Sequence, residues 1–316
     1  MASTAAVAQS HNATAMLGDL LETGGAKGSG AFNAEIVKNG IKIVNAAEFA
    51  MSQVYSLDAA SQNVISETAS LTPSANQFYA RTQEFNTVQI QKLAFSESAF
   101  RAAANNTLDT TNIDQGGFAP VLSEFDLAKA NAMKQLNIDW EFSAIQGTLV
   151  RRNVVGTENA MGGLLDATIG ITTNEEAGGG AALSLTMINN LLTTMFGNGA
   201  EFGRLAFVVR PGYAPVLSAL YGVAPSDRIV GGVGLKTFVT DFGNIDLIVT
   251  NSAPANTVLV ADMAYIKPVV MPHADGSIIQ EKEFTNGGSA RNGYVEVYTS
   301  IDFGSESYHG VISNVA

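Results

Sequence analysis

The sequence predicts an α+β fold, with helices and mostly antiparallel strands in separate runs. Three observations predict it. The tail holds two segments of clean apolar/polar alternation, GSIIQEKEF and GYVEVYTSIDF, joined by the turn-forming TNGGSARN, and a period of two marks a half-buried strand. Ahead of them, LKTFVTDFGNIDLIVTN reads as two strands about the turn Asp241 to Asn244, with TVLVAD as a third. The middle of the chain carries one very long helical pattern, LSEFDLAKANAMKQLNIDWEFSAIQGTLV, which includes the single tryptophan, Trp140.

Composition narrows what such a fold can do. A chain of 316 residues with 46% hydrophobic and 15% charged side chains buries a substantial core in one or two domains. With 29 acidic against 17 basic residues the net charge is −12, which argues against a protein that wraps nucleic acid by phosphate neutralisation alone. There is no cysteine, so disulfides, a thiolate nucleophile and cysteine-bound metal are excluded. The N-terminus MASTAAVAQSHNATAMLGDLLETGG lacks a basic start and a continuous apolar run, and no later stretch approaches the ~20 apolar residues that span a bilayer. The expectation is a soluble protein made inside the cell, with no membrane partner.

Taken in order, residues 1–14 are small and polar with nothing to anchor them. Leu17, Leu20 and Leu21 then fall at helical spacing, closed by Gly24 and Gly25. After the flexible GGAKGSGA, the segment FNAEIVKNGIKIVNAAEF fits helix and strand alike. The polar stretch from Asp58 to Glu84 is too long for an ordinary turn. NTVQIQKLAF follows as a half-buried strand, which makes that stretch a long hairpin or arm.

The long helix begins near Pro120 and ends about Gly147. At 100° per residue Leu122, Phe125, Ala128, Ala132, Met133, Leu136 and Trp140 share one stripe. Leu127, Ile138, Phe142, Ile145 and Leu149 form a second, nearly opposite. A helix apolar on two sides belongs between two layers. Beyond it, Leu185, Ile188, Leu191, Leu192 and Met195 make a helix closed at Gly197. RLAFVVR is a buried strand, and Pro211 opens a short helix that ends at Gly222.

No catalytic, cofactor-binding or metal-ligating constellation emerges. His11, His273 and His309 lie far apart without metal-ligand spacing, and no GxSxG elbow is present. Glu175 and Glu176 read as solvating a loop. The clusters Gly178 to Gly180 and Gly231 to Gly234 lack the lysine and helix of a phosphate-binding loop. Arg210 and Lys267, each beside a proline, read as solvated edge residues.

Several segments in this order resemble a known architecture. They are NQFYARTQEFNTVQIQKLAFSESA, NAMKQLNIDWEFSAIQGT, ENAMGGLLDATIG, KTFVTDFGNIDLIVTN, TVLVADMAYIKPVVM and VEVYTSIDFGSESYHGVIS. Together they resemble tailed-phage major capsid proteins of the Hong Kong 97 fold, in particular the family from phages with podophage-type particles. The resemblance implies an N-terminal arm at 1–48 and an extended loop with its strands at 49–98. It implies a peripheral domain at 99–182 and 259–316 with a spine helix about 120–148, and an axial domain at 183–258. It places Gln62, Glu67, Asn76, Phe78, Tyr79 and Arg81 on a neighbouring subunit, Phe125, Leu136, Trp140 and Ile145 in the packing of the spine helix, and Gly231, Gly232 and Gly234 in an axial-domain loop.

The function implied is self-assembly into the pentamers and hexamers of an icosahedral phage head. That head is assembled in the bacterial cytoplasm and encloses double-stranded DNA without sequence-specific binding. Portal, decoration and scaffolding proteins are the implied partners, and neither catalytic residues nor a cofactor are implied. The same fold serves encapsulin-type bacterial nanocompartments, which is the nearest alternative. An enzyme whose site converges only in three dimensions, around His273 or His309, is the alternative from another class.

Overall fold

The computed structural model describes residues 30–52, 67–68, 84–97, 124–151, 158–221, 226–230, 233–284 and 291–316. Four α-helices are present among them: α1 (Ala31–Val37), α2 (Glu124–Gln146), α3 (Leu185–Gly197) and α4 (Tyr213–Tyr221).

The strands form two main sheets. In the first, β1 (Lys42–Ile43), β11 (Lys267–Val270), β13 (Arg291–Asp302) and β12 (Ile279–Phe284) lie in that order, and β4 (Gln89–Glu97) also pairs with β13. Residues 292–297 of β13 pair with both β12 and β4, so those two strands flank it. The second sheet runs β5 (Glu175–Ala177), β14 (Gly310–Ser313), β10 (Val258–Asp262), β6 (Leu205–Val209), β9 (Gly243–Val249), β8 (Val233–Thr240), β7 (Ser226–Val230). A separate pair joins β2 (Glu48–Ala50) to β3 (Phe85–Thr87). Most pairings are antiparallel; β1 with β11, β5 with β14 and β6 with β9 are parallel.

The seven-stranded sheet explains why LAFVV shows no alternation. All five residues of β6 are buried, because both faces of the sheet are covered. Ala206 and Val208 point into a core shared with the long helix and the first sheet, while Leu205, Phe207 and Val209 point into a second core under α3 and α4. In β10, Leu259 and Ala261 take the first side and Val258 and Val260 the second. Ser184 caps α3 by accepting the Met187 amide at 3.3 Å. The buried stripe Ile188, Leu191, Leu192, Met195 then sits on the sheet. A Cβ at Gly310 would lie 2.7 Å from Met195 Sδ, so glycine there lets α3 and β14 close.

Several expectations need correction. The ambiguous segment 32–49 is both things in turn: α1, then β1, then the start of β2. Glu175 and Glu176 form β5, an edge strand paired with β14, and not a loop. Gly234 lies inside β8 opposite Ile229, so it is not a loop residue; only Gly231 and Gly232 fall between the two strands, outside the described residues. The seven-stranded sheet runs across residue 258, with β10 hydrogen-bonded to β6 on one side and to β14 on the other. Buried strands from distant parts of the chain find one another by register, which a linear reading does not reveal.

Candidate functional site

The histidines come first, because an enzymatic reading would rest on them. His309 is fully buried. Its Nδ1 accepts the Asp262 amide at 3.1 Å, and its Nε2–H donates to the Phe303 carbonyl at 2.8 Å. Both nitrogens are used by the backbone, and burial holds the ring below the usual imidazole range. The Asp262 carboxylate is spent on the amides of Gly203, Arg204 and Ala264 at 2.7–3.1 Å. His273 packs at a tilt against Tyr298, ring centroids 4.2 Å apart, with Nε2 3.3 Å from the Glu296 carbonyl. Both histidines therefore hold strands together, and among the described residues no three acidic or histidine side chains gather as a metal site.

The long helix α2 is where the chain's parts meet. Phe125, Leu136, Trp140 and Ile145 are each at most 3% exposed, so the four residues chosen as spine packing are buried. Phe125 packs edge-on to Phe95 of β4 at 5.0 Å and lies under the Arg291 guanidinium at 3.9 Å. Gly293, opposite Phe95 in the sheet, leaves room for both rings, since a Cβ there would be 2.8 Å from Phe95.

Beside Trp140 runs a polar seam that the apolar stripes concealed. Asn137 and Glu141, one turn apart, are 1% and 0% exposed. Asn33 of α1 donates to the Asn137 side chain and, at 3.2 Å, to its carbonyl. The Glu141 carboxyl takes the Gly30 amide on one oxygen and bonds the Thr250 hydroxyl, just past β9, with the other. Burial, opposed by those two bonds, pushes its pKa up to about 7. Gln146 adds a bond to the Ser252 carbonyl at 2.5 Å. The signal available in sequence was the i, i+4 spacing of Asn137 and Glu141 within an otherwise apolar sector.

The second apolar stripe of α2 is treated differently. Ile145 is buried, but Leu127 is 39% and Phe142 51% exposed. The expectation of a helix buried on two sides is therefore corrected: among the described residues the second side is covered only in part, with Ile145 buried and Ile138 and Leu149 half-buried. Further large apolar side chains stand in solvent at Ile90 of β4, Phe196 of α3 and Val239 of β8.

The chain on either side of residues 53–83 is well tied. Met51 donates its amide to the Glu84 carbonyl at 3.0 Å, and β2 and β3 pair just behind. Asp302, 1% exposed, accepts the Ser52 amide at 3.1 Å and the Ser52 hydroxyl and Lys42 ammonium at 2.8 and 2.6 Å. Of the residues placed on a neighbouring subunit, Glu67 is exposed in a turn. Gln62, Asn76, Phe78, Tyr79 and Arg81 lie outside the described residues.

Solved structures of shell proteins have a fold similar to this one. The chain is similar to the holo-SrpI encapsulin complex of Synechococcus elongatus PCC 7942, with TM-score 0.57 and 13% identity over 87% of this chain and 84% of that one. It is similar to the capsid of cyanophage A-1(L), with TM-score 0.54 and 12% identity over 90% and 92% of the two chains. Against the capsid of an empty GTA particle the TM-score is 0.52, with 14% identity over 90% of each chain. At such identities the likeness establishes the fold alone, which is the Hong Kong 97-type capsid fold. Comparison with curated protein sequences gives no match. The sequence profile of the SU10 major capsid protein matches residues 31–316, nearly the whole chain. The chain belongs to the SU10 major capsid protein family.

Proposed function

We propose that this capsid-forming protein builds a closed icosahedral phage head from pentamers and hexamers of itself, enclosing double-stranded DNA. The family match over residues 31–316 carries the reading. The subunit supports it by leaving large apolar side chains in solvent at Leu127, Phe142, Phe196 and Val239. A shell subunit hides such surface against its neighbours. Its role is structural and not catalytic, and the net charge of −12 suits a container that holds DNA without gripping it. Assembly in the host cytoplasm, attachment to a portal, and contact with scaffolding or decoration proteins complete the proposal.

Within it, 1–48 is the N-terminal arm, 49–98 the extended loop and its strands, 99–182 and 259–316 the peripheral domain with α2 as its spine, and 183–258 the axial domain. The paired bases at Met51 and Glu84 support the loop, because the chain on either side of residues 53–83 meets there. Gln62, Glu67, Asn76, Phe78, Tyr79 and Arg81 are proposed to lie on the adjacent subunit.

The test replaces Ala60 to Arg81 with a short Gly/Ser turn. Circular dichroism and thermal unfolding are expected to stay near wild type, since a loop without its own core adds little and a shorter one costs less closure entropy. Negative-stain microscopy of the same preparation is expected to find no closed shells. Regular shells from the variant would refute the intersubunit loop, and an unfolded variant would place the segment in the core.

A further inference from the structure

The chain enters and leaves residues 53–83 through one short ribbon, β2 and β3. Among the described residues these two strands form a two-stranded sheet of their own, apart from the two main sheets. Phe49, Met51 and Val88 fix the ribbon to the first core and are at most 7% exposed, but apolar contact is non-directional and sets no angle. A set of buried polar bonds supplies the direction. We propose that Asp302, at the end of β13, is a positioning residue for assembly: through Lys42 and Ser52 it fixes the angle at which the ribbon leaves the first sheet, and with it where residues 53–83 meet a neighbouring subunit. The proposal rests on the extended-loop reading of those residues.

Asp302 is 1% exposed, and each of its carboxylate oxygens is shared by two donors. Oδ1 accepts the amides of Ser52 and Gly304, both at 3.1 Å, while Oδ2 accepts the Ser52 hydroxyl at 2.8 Å and the Lys42 ammonium at 2.6 Å. A carboxylate offers about four lone-pair sites, so all are used, and turning the ribbon breaks charge-assisted bonds. Lys42 of β1 closes the ring: its Nζ also donates to the Ala50 carbonyl at 3.1 Å and stands 5.1 Å from the centre of the Phe49 ring. Gly304 has φ 72, and a Cβ there would lie 3.1 Å from the Ser52 carbonyl oxygen, so glycine lets the two segments come this close.

The return strand is held in the same way. Asn86 of β3 is fully buried; its amide nitrogen donates to the carbonyls of Gly162 and Ile301, each at 2.9 Å, and its oxygen accepts the amides of Gly162 at 3.0 Å and Thr87 at 2.8 Å. Every donor and acceptor of that side chain is used. The Ser300 hydroxyl adds a bond to the Thr87 carbonyl at 2.8 Å. Both strands of the ribbon are therefore bonded to one stretch of β13, Ser300 to Asp302, and a fully satisfied buried network specifies a single arrangement. Asp302 is the member that ties the outgoing strand, since β1, Ser52 and Gly304 all donate to it.

The chain has no cysteine, so a pair of spin labels can be placed without background. Labels at Glu48→Cys and Lys282→Cys, exposed positions of β2 and β12, report the ribbon's angle as a distance distribution by double electron–electron resonance, on full-length chain diluted with unlabelled protein. A single narrow distribution is expected with Asp302 in place. Asp302→Asn keeps the shape of the side chain but sets an N–H against the donors around it; it is expected to lose the narrow distribution with circular dichroism unchanged, and negative-stain microscopy is expected to find open or irregular particles instead of closed shells. Lys42→Met, which keeps an apolar stem beside Phe49, is expected to act in the same direction more weakly, and it carries the test if Asp302→Asn fails to fold. Narrow, unshifted distributions in both variants would overturn the proposal, as would a broad one with Asp302 in place, or regular shells built by a variant whose distribution has broadened. A wild-type chain that forms no shells under any condition would refute the phage-head reading and the assembly role with it, while the distance distributions would still decide whether Asp302 holds the ribbon.

Discussion

The two sides of the spine helix are similarly apolar in sequence and meet opposite fates. Phe125, Leu136 and Trp140 are at most 3% exposed, while Leu127 and Phe142 are 39% and 51% exposed. The difference is one of partners. The inner side faces Phe95, Val295 and Val297 of the first sheet, strands made within the same subunit. On the outer side Ile145 is buried and Ile138 and Leu149 are half-buried, while Leu127 and Phe142 find no such cover among the described residues. Apolar periodicity records what a helix buries in its working state, and in a shell protein that state includes the neighbours.

The comparison breaks most readily on the inner side. Trp140→Ala removes the largest fully buried side chain and is expected to cost about 3–5 kcal/mol of subunit stability. Chemical denaturation of unassembled protein measures it. The native tryptophan emission should also be blue-shifted; a cost below about 1 kcal/mol, or a solvent-like spectrum, would remove the distinction between the two sides.

The second prediction concerns pH, because the inner side also holds an ionisable group. The folded pKa of Glu141 is raised from 4.5 to about 7. The folded state therefore binds more protons than the unfolded state between those values, and stability falls as pH rises through them. The loss is of order 3 kcal/mol once pH exceeds about 7. Glu141→Gln should match wild type near pH 4.5 and gain on it as pH rises. His309 has the opposite sign. Its ring is held neutral by burial, so the stability it contributes is present above the unfolded value of 6.5 and is lost as pH falls below it. Unfolding free energies measured across pH for Glu141→Gln and for His309→Gln, each against wild type, separate these slopes. Parallel profiles would mean that neither group is the source.

How much of this was legible beforehand follows from the same physics. Elements with their own periodicity were readable. The stripe of α3, the alternation of β12 and β13, and the β8 and β9 pair joined at Asp241 and Phe242 all appear where the pattern places them. Continuous apolar strands were readable as buried, but not which two cores they serve. That depends on β10 and β14 returning from the tail to flank β6 and β5. Gly234 misled because a glycine cluster reads as a loop whether or not a strand runs through it. The Asn33, Asn137, Glu141 and Thr250 seam was hidden for a different reason. Its members are separated by up to 217 positions, and each looks like an ordinary polar residue until the fold desolvates it. The family resemblance was visible because an order of elements survives where individual residues do not.

The smallest expected effect tests the outer side. In Leu127→Gln/Phe142→Gln both replaced side chains are already more than one-third exposed, and glutamine is a good helix former. Little burial is lost within the subunit, so its stability should change by roughly 0.5 kcal/mol per site or less. Assembly is where the change should be felt. Each apolar side chain that a neighbour covers contributes ~25 cal/mol per Å² of newly buried surface, and the contribution repeats at every equivalent contact of a closed shell. Light scattering against protein concentration is expected to show that the double variant needs more protein than wild type to form shells, while its denaturation curve overlays that of wild type. A stability loss as large as that of Trp140→Ala would mean that the outer side is covered within the subunit after all. Unchanged stability with unchanged assembly would mean that the stripe faces the enclosed space and not a neighbour, and the contrast between the two sides would then lie between protein and solvent in the finished particle.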